Sequence, residues 1–526
     1  MIYLNNRIKK CLGLSLSLLV LVSVMSGCNS KKSAVDESDK TTGPPTTLNV
    51  EVFDRAKAGQ APLDNNYWTK YVNDNFGKDN NVAVHYIPVP RTQEVEKLNI
   101  MMAANQAPDI CFTYTQSVVY NFVKQGGVTE LNSLMSKYGQ NLTKYLGKDV
   151  LSYGLFDGKQ MFIPAMRTIL ANNVEYIRQD WLDKLGMKAP TTTDEFYNTL
   201  VAFRDKNPGG VKGVIPWGVG GDVNYNFSNL IKSFWTKMSE EDFAVLPDWQ
   251  KPGNKEGVKF ANKLYNEKLI SPDFAIDKTA KQSDSDNSNG KTGFMAGNFD
   301  TPLRSTPGIY DNLKKSVPGA VLTPVDAFTN YDGKHYKNQY TTNGMFIIIP
   351  KASKNSVQAV KYLNWMADPK VTFFLQNGEE GTGYKLVDGI PQLLPQTGDK
   401  QMYSPSNVDY CIIYNGTQLG DPAKNVKAIA KSYPGYEAEA TKAMQIASVD
   451  AFQYFWFDTP RDSDAKYAKS LLDKTAEMYA KLVTAKPADF DKLYDEQVKE
   501  YMANGGQAVK DESIKIYTAM QAKVKK

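Results

Sequence analysis

Two alternating hydrophobic periods between residues 48 and 113 constrain the fold of this chain more than any other feature. Leu48, Val50 and Val52 alternate with polar neighbours, as in a half-buried strand, and the apolar residues after them recur at helical spacing. The same pair of patterns starts again at Val82, and a short apolar stretch from 109 to 113 ends the series. This β-α-β-α-β order predicts an α/β fold with a parallel, doubly wound sheet and right-handed crossovers.

The loops after these strands are the first candidates for a binding site. Ligands of doubly wound sheets bind beyond the carboxyl ends of the strands. The polar side chains found there, which we expect to contact a ligand, are Asp54, Arg55, Tyr114 and Gln116. The alternative is that these residues belong to ordinary polar surface loops.

The N-terminus predicts export and lipid anchoring. Arg7, Lys9 and Lys10 precede an uncharged apolar run that ends at Met25, and this run is shorter than the ~20 residues that span a bilayer. The pattern is typical of a secretory signal peptide. The small residues directly before Cys28 are similar to those of the bacterial lipobox, in which the cysteine is lipidated and begins the mature protein. Cleavage of an ordinary secretion signal nearby is the alternative.

Length and composition exclude several classes of protein. Without its signal, a chain of 526 residues still exceeds the ~100–200 residues of one domain, so we expect at least two lobes. Its 62 Lys and Arg residues are scattered and nearly balanced by 57 Asp and Glu residues, so nothing predicts binding of nucleic acid. Cys111 and Cys411 lie in apolar surroundings, which favours two buried thiols. A disulfide between them is the alternative.

Five motifs follow one another in an order that is similar to a known family. They are DGKQMFIP, YIRQDWLDKLG, APTTTDEFYNTLVAFRDKNP, GFMAGNF and TTNGMFIIIP. Over nearly its whole mature length the chain resembles the family 1 extracellular solute-binding lipoproteins of Gram-positive bacteria. Within them it resembles the lipoprotein O-like branch, which serves oligosaccharide ABC importers. Each motif alone is weak, but their order and spacing together are specific.

The resemblance implies a two-lobed, periplasmic-binding-protein-like α/β fold with the ligand in the cleft between the lobes. The hinge would be crossed more than once, near 164–171 and 341–345, and the C-terminal part would be helical. The implied division of the chain is a signal peptide at 1–27, a flexible tether at 28–47, a first lobe at 48–165, a second lobe at 166–341, a return to the first lobe at 342–375, and completion of the second lobe with C-terminal helices at 376–526.

The chain departs from its relatives at a calcium loop that they often carry after the DEFY helix. Residues 207–214 here lack the several side-chain oxygens that calcium needs. Asp284 and Asp286 begin like an EF-hand loop, but Asn289 occupies the position of its glycine, and an apolar residue occupies the position of its bidentate carboxylate. We therefore expect no metal at either place, and no cofactor.

A sugar-binding cleft needs aromatic platforms and polar groups that fix the orientation of the ring. Among the 7 tryptophans, Trp217, Trp235 and Trp456 lie in stretches where regular helical or strand burial is not evident, so we expect them to line the cleft. Arg167, at the implied crossing, and Asn298, after a predicted strand, complete the predicted ligand contacts. The alternative is core packing for the tryptophans and a structural ion pair for Arg167.

These observations predict a carbohydrate-binding protein. We expect it on the extracellular face of the cell membrane, held by a lipid on Cys28, where it delivers an oligosaccharide to the permease of an ABC importer as a monomer. Catalysis has no positive signal, because His85 and His335 lack metal-ligand spacing and no GxSxG motif is present. The alternatives are a binding protein for another solute class such as peptides, and a cell-surface carbohydrate-active hydrolase, for which the 57 acidic residues always offer a pair of carboxylates.

Overall fold

Two larger sheets organise the protein in the computed structural model, which describes residues 43–524 except for 57–58, 305–307 and 403–408. The described residues from Pro44 onward belong to one compact unit. The predictions for the signal peptide, for most of the tether and for lipidation of Cys28 lie outside the described residues.

Sixteen strands occur in the described part of the chain. They are β1 (Thr46–Asp54), β2 (Val82–Pro90), β3 (Cys111–Thr113), β4 (Leu155–Phe156), β5 (Lys159–Gln160), β6 (Ile163–Arg167), β7 (Asn173–Arg178), β8 (Ile215–Gly218), β9 (Thr292–Asn298), β10 (Leu322–Val325), β11 (Lys337–Asn338), β12 (Asn343–Ile348), β13 (Tyr384–Val387), β14 (Ile390–Leu393), β15 (Tyr414–Asn415) and β16 (Ala451–Phe452).

Helices account for most of the remaining described chain. They are α1 (Tyr67–Val72), α2 (Lys78–Asn80), α3 (Glu94–Ala103), α4 (Gln116–Lys124), α5 (Asn132–Tyr138), α6 (Gln140–Ser152), α7 (Gln179–Leu185), α8 (Thr193–Lys206), α9 (Val223–Lys232), α10 (Glu240–Val245), α11 (Asn254–Asn266), α12 (Lys281–Ser288), α13 (Ile309–Ser316), α14 (Ser356–Met366), α15 (Pro369–Asn377), α16 (Pro422–Ala430), α17 (Glu437–Ile446), α18 (Asp462–Val483), α19 (Phe490–Tyr501) and α20 (Gln507–Val524). Two π-helical segments, Asn73–Gly77 and Met502–Gly506, join α1 to α2 and α19 to α20.

The first sheet begins with the predicted parallel strands. β1 pairs in parallel with β2 over the full length of both, and Ile110, directly before β3, bridges to Val50 of β1 in parallel. β12 then lies antiparallel between β3 and β6, and β15 pairs in parallel with β6. The resulting order is β2-β1-β3-β12-β6-β15. The predicted β-α-β-α-β start is therefore confirmed.

The second sheet has the order β10-β7-β9-β8. β8 is parallel to β9, while β7 is antiparallel to both of its neighbours. Its core is rich in aromatic rings, with Trp181, Phe196, Phe203 and Trp217 fully buried. A separate core around Leu48, the strands of the first sheet and α14 defines the first lobe, whereas this aromatic core defines the second lobe.

Part of the expected second lobe packs in the first lobe instead. Residues 410–414, within the stretch 376–526 that we assigned to the second lobe, are almost completely buried in the same core as Leu48. The reason is that Tyr414 and Asn415 form the edge strand beside β6 of the first sheet. The apolar run before them is thereby drawn into that core.

The chain passes between the lobes after β6, before β12 and after β15. These crossings are tied together by backbone hydrogen bonds. Arg167 N donates to Thr342 O at 2.6 Å, and Thr168 N donates to Asn415 O at 3.1 Å. Gly416 has a φ of +109°, and a side chain at this position would overlap Thr168. The segments that pass between the lobes are therefore joined to one another and form one hinge.

The C-terminal helices belong mainly to the second lobe. Met478 and Leu482 of α18 and Phe490 of α19 are buried in the aromatic core. The amino end of α18 contacts α4 of the first lobe. None of the helices in the described part of the chain is both long and apolar enough to span a membrane.

The two cysteines within the described residues are buried and unpaired. Cys111 donates its thiol hydrogen to the carbonyl of Pro108 at 3.3 Å. The prediction of two buried thiols is therefore confirmed.

Candidate functional site

Arg167 and Tyr340 come from two neighbouring crossings and meet between the lobes. The guanidinium carbon of Arg167 lies 4.2 Å from the centre of the Tyr340 ring, which is the geometry of a cation–π contact. Burial lowers the pKa of Arg167, while Tyr340 and Tyr114 act in the opposite direction. The Nε–H of Arg167 is buried and has no hydrogen-bond partner among the described residues. Such a donor is available to a ligand.

Asn298 and Tyr225 extend this contact into the second lobe. The side-chain amide of Asn298, the last residue of β9, donates to the Tyr340 hydroxyl at 2.7 Å. The Tyr225 hydroxyl lies 3.5 Å from the same oxygen. Asn298, Tyr225 and Tyr340 line a cavity of about 300 Å³ at the carboxyl ends of the parallel strands β8 and β9. This is the edge of a sheet at which ligands of α/β proteins bind.

Tyr114 and Asn415 approach Arg167 from the first lobe. The amide of Asn415 donates to the Tyr114 hydroxyl at 3.1 Å, and the guanidinium carbon of Arg91 lies 4.7 Å from the centre of the Tyr114 ring. Burial raises the pKa of Tyr114, while Arg55 and Arg167 counteract this rise. Cationic side chains therefore lie on both sides of Tyr114: Arg55 and Arg91 in the first lobe, and Arg167 at the crossing.

The remaining predicted residues of the first lobe have protein partners. Arg55 donates two hydrogen bonds to the Asp409 carboxylate, at 2.7 and 2.8 Å, and this pair raises the pKa of Arg55. Asp54 accepts hydrogen bonds from Ala56 N and from the Gln60 side chain. The Gln116 amide donates to the Tyr120 hydroxyl. The roles of these residues as ligand contacts stay predictions.

A second cavity, which we call the α9 cavity, runs along one face of α9. Tyr225, Ser228 and Lys232 line it at a spacing of three and four residues, so their side chains share that face. The cavity has a volume of about 340 Å³ and shares Tyr225 with the first cavity. Its aromatic wall comes from five other parts of the chain and consists of Trp235, Trp249, Tyr454, Tyr479 and Tyr501.

The predicted residue Trp235 lies in the wall of the α9 cavity. It is 4% exposed, and its indole N–H donates to Asn254 Oδ1 at 3.3 Å. The ammonium groups of Lys251 and Lys232 lie 4.6 and 5.6 Å from its ring centre. Trp235 therefore offers an aromatic surface beside two cations.

The expectation that Trp217 lines the cleft is wrong. Trp217 is fully buried, with the rings of Phe196, Phe227 and Phe294 packed edge-on at 5.4–5.5 Å. The reason is that Trp217 lies in β8 and pairs with Phe294 of β9, so that its side chain enters the core.

Trp456 lies away from both cavities. It is half-buried against Tyr153, with ring centres 4.5 Å apart, in a cluster that also contains Val119 and Phe162 of the first lobe. The structure therefore gives Trp456 a packing role between lobes, because its segment leaves β16 and touches the first lobe. The expectation that Trp456 is a cleft platform is not supported by this position.

Tyr225, Tyr340 and Lys232 were not among the residues predicted from the sequence. The spacing of Tyr225, Ser228 and Lys232 along α9 is a signal that could have pointed to one polar helix face. Tyr340 directly precedes the predicted crossing at 341–345, but tyrosine is common in this chain and nothing local distinguishes it. Lys232 becomes unusual only through its burial.

No group of three or more His, Cys, Asp or Glu side chains in the described part of the chain could hold a metal ion. In the loop after α8, the amide of Asn207 is occupied with the backbone of Val211. These side chains form a structural turn.

Comparison with known proteins shows the family. A family model described as bacterial extracellular solute-binding protein matches residues 61–372. Lipoprotein LipO of Bacillus subtilis (strain 168) is 25% identical over 412 residues, which cover 75% of this chain and 77% of LipO. The fructooligosaccharide ABC transporter substrate-binding protein FusA of Streptococcus pneumoniae serotype 4 is 27% identical over 274 residues, which cover 47% of this chain and 50% of FusA.

Comparison with solved structures shows the fold. The alginate-binding protein AlgQ2, solved without calcium ion, matches with a TM-score of 0.66 at 20% sequence identity. The match covers 92% of this chain and 100% of AlgQ2. The predicted two-lobed α/β fold is confirmed, and the matched family is one of solute-binding proteins rather than of enzymes. The chain belongs to the family of bacterial extracellular solute-binding proteins.

Proposed function

We propose that this protein is a lipid-anchored solute-binding protein on the extracellular face of the cell membrane, which captures an oligosaccharide and delivers it to an ABC importer permease. The observation that carries the proposal is the convergence of Arg167, Tyr340, Asn298 and Tyr225 beside the hinge. These residues come from four different segments and present a guanidinium, an amide and two hydroxyls at one place. Such a set binds the hydroxyls of a sugar.

The aromatic wall of the α9 cavity supports a carbohydrate over a peptide. Sugar rings have apolar C–H faces that stack on aromatic surfaces while their hydroxyls reach polar groups. Trp235 and Tyr454 offer such surfaces, and Ser228 and Asn338 offer polar groups in the same cavity. The names of FusA and AlgQ2 state fructooligosaccharide and alginate as the solutes of those proteins, which agrees with a saccharide here.

Two cavities that share Tyr225 support a ligand of more than one sugar unit. Tyr225 and Lys232 are two turns apart on α9, which corresponds to about 10 Å along the helix axis. A saccharide along this face would touch Arg167 and Tyr340 at one end and Trp235 at the other. On the first lobe, Tyr114 and Arg55 would contact the ligand when the lobes close by a hinge motion.

Lipidation at Cys28 and docking to a permease complete the proposal. The lipobox-like residues before Cys28 support the anchor, and the family of extracellular solute-binding proteins supports the location outside the cell. Replacement of Cys28 by Ser is expected to abolish incorporation of labelled palmitate and to release the protein into the medium. Wild-type protein that is neither labelled nor membrane-bound would contradict the anchor.

The solute can be identified with the soluble chain that begins after Cys28. We would screen neutral and acidic oligosaccharides and a set of peptides by thermal shift, confirm binding by calorimetry and analyse the recovered ligand. A ligand at a hundred times its Kd stabilises the folded protein by about 2.7 kcal/mol. Saturable binding of an intact saccharide supports the proposal. Binding of peptides alone, or recovery of a cleaved saccharide, would refute it.

A further inference from the structure

Lys232 is a buried cation at the end of the α9 cavity that lies away from Arg167. The residue is 6% exposed, and its ammonium group donates a hydrogen bond to Ser228 Oγ. No carboxylate among the described residues lies within ion-pair distance of it. Burial, opposed by Asp248 and reinforced by Lys251, lowers the pKa of Lys232 to about 8. A buried ammonium without a counterion is costly, so it is rarely present without a function.

The neighbouring charges leave this end of the cavity with an excess of positive charge. Lys251, whose side chain is 1% exposed, forms an ion pair with Asp248 at 2.8 Å. Asp248 also accepts a hydrogen bond from the Tyr454 hydroxyl at 2.7 Å. Asp248, which acts electrostatically on both ammonium groups, is thus occupied by Lys251 and Tyr454 and lies beyond ion-pair distance of Lys232. With two ammonium groups and one carboxylate, this end of the cavity lacks one negative charge.

We propose that the α9 cavity binds a carboxylate-bearing sugar unit, a uronate, with Lys232 as the counterion of its carboxylate. This inference rests on the proposed function, because it specifies the class of saccharide that the same site takes. A ligand carboxylate beside Lys232 gives two carboxylates for two ammonium groups. The sugar ring would stack on the aromatic wall, where Trp235 and Tyr454 already lie close to both cations.

The position of Lys232 should make the α9 cavity selective for acidic saccharides. Tyr225, Ser228 and Lys232 share one helix face, so a saccharide bound along α9 would place one sugar unit at the polar groups around Tyr340 and another at Lys232. The sugar unit at Lys232 is the one whose carboxylate would pair with the Lys232 ammonium group. A neutral sugar at this place would leave the ammonium group buried without a counterion.

Calorimetry with matched acidic and neutral probes tests the inference. The probes are the trisaccharides of galacturonate, mannuronate and guluronate, the methyl esters of each, and neutral galactotriose. We expect at least one acidic trisaccharide to bind about ten- to a hundredfold more tightly than its methyl ester, which is the effect of one charge-assisted hydrogen bond. Lys232→Met should bind the acid and its ester equally. Lys232→Arg should retain the preference for the acid.

Lys442→Met is the matched control, because Lys442 is exposed on α17 of the same lobe. It should preserve both the affinity and the preference of the wild type. Melting temperatures of all variants show that they fold. Tighter binding of neutral saccharides, or an acid preference unchanged in Lys232→Met, would overturn the inference and leave the proposed function intact. Binding of peptides but of no saccharide of either charge would refute the proposed function itself.

Discussion

The guanidinium carbon of Arg167 lies 4.2 Å from the ring centre of Tyr340, although 173 positions separate the two residues in the sequence. Each residue belongs to a segment that passes between the lobes, so a change in the hinge changes their contact directly. The Tyr340 hydroxyl in turn accepts a hydrogen bond from Asn298 of the second lobe. The contact therefore links the geometry of the hinge to the candidate ligand site.

Removal of the Tyr340 hydroxyl should weaken ligand binding without unfolding the protein. In Tyr340→Phe the ring stays beside Arg167, but Asn298 and Tyr225 lose their common partner. We expect the affinity for the saccharide to fall about tenfold, which corresponds to one hydrogen bond. Calorimetry measures the loss. Tyr265→Phe on α11 is the control, since its hydroxyl makes a single long contact, with Pro272 O at 3.4 Å. Equal affinities of wild type and Tyr340→Phe would contradict the assignment.

Replacement of Trp217 and of Trp235, which both lie in the second lobe, should affect ligand binding differently. Trp217→Ala removes a fully buried ring among three phenylalanines and should cost about 3–5 kcal/mol of unfolding free energy. Trp235→Ala should reduce ligand affinity as well as stability, because Trp235 is 4% exposed and lines the α9 cavity. Urea unfolding followed by circular dichroism, together with calorimetry, separates the effects. A Trp217→Ala protein that is as stable as the wild type but binds the ligand more weakly would show that Trp217 contacts the ligand after all.

The ion pair between Arg55 and Asp409 should stabilise the folded protein. Both side chains are mostly buried, at 14% and 10% exposure. Asp409→Ala leaves the Arg55 guanidinium without its carboxylate and should cost about 3–5 kcal/mol of stability. The double replacement Arg55→Met with Asp409→Leu should recover much of this loss, because no buried charge remains. Thermal unfolding of the three proteins provides the measurement. An Asp409→Ala protein as stable as the wild type would show that solvent replaces the pair.

Glu175 should make the protein less stable as pH rises from about 5 to 8. Burial, with Asp326 adding to it, raises the pKa of Glu175 to about 8, whereas the same group in the unfolded chain titrates near 4.3. Between these values the folded protein binds more protons, so its unfolding free energy falls by up to about 1.4 kcal/mol per pH unit. Glu175→Gln should remove this slope, and the exposed control Glu379→Gln should keep it. Urea unfolding at several pH values provides the comparison, and identical slopes in Glu175→Gln and wild type would reject the explanation.

Lys232 should act in the opposite direction at higher pH in the ligand-free protein. Its pKa is lowered to about 8 in the folded state, in the presence of Asp248 and Lys251, whereas a lysine in the unfolded chain titrates near 10.4. Between these values the unfolded chain binds more protons, so the unfolding free energy contributed by this group rises with pH. Lys232→Met should lack this rise and be the more stable protein at pH 7. A pH dependence identical to that of the Lys442→Met control would show that Lys232 is not responsible.

Local patterns were sufficient for the start of the first sheet. The alternation at Leu48, Val50 and Val52 and the helical spacing after it depend only on near neighbours, and β1 and β2 form as predicted. Gly186 ends α7 with a φ of +64°, which a glycine adopts without steric cost. The position of Arg167 at a crossing came from the resemblance to the family and not from the local pattern.

The local sequence did not show whether a tryptophan would lie in the core or line a cavity. Trp217 and Trp235 both follow short polar or glycine-rich stretches, yet one lies in the core and the other lines a cavity. Trp217 is enclosed by Phe196, Phe227 and Phe294, which come from three different elements, α8, α9 and β9. The sequence around residue 217 does not predict that these three rings pack against Trp217.

The sequence by itself determined the order of strands and helices at the start of the chain and the positions where strands end, because these depend on hydrophobic period and on turn-forming residues a few positions away. Only the tertiary structure decided that Tyr410 and Tyr414 enter the first core, that Tyr340 meets Arg167, and that Lys232 is buried with too few carboxylates. Burial and charge balance are sums over side chains brought together from distant segments. They exist only once the lobes have packed.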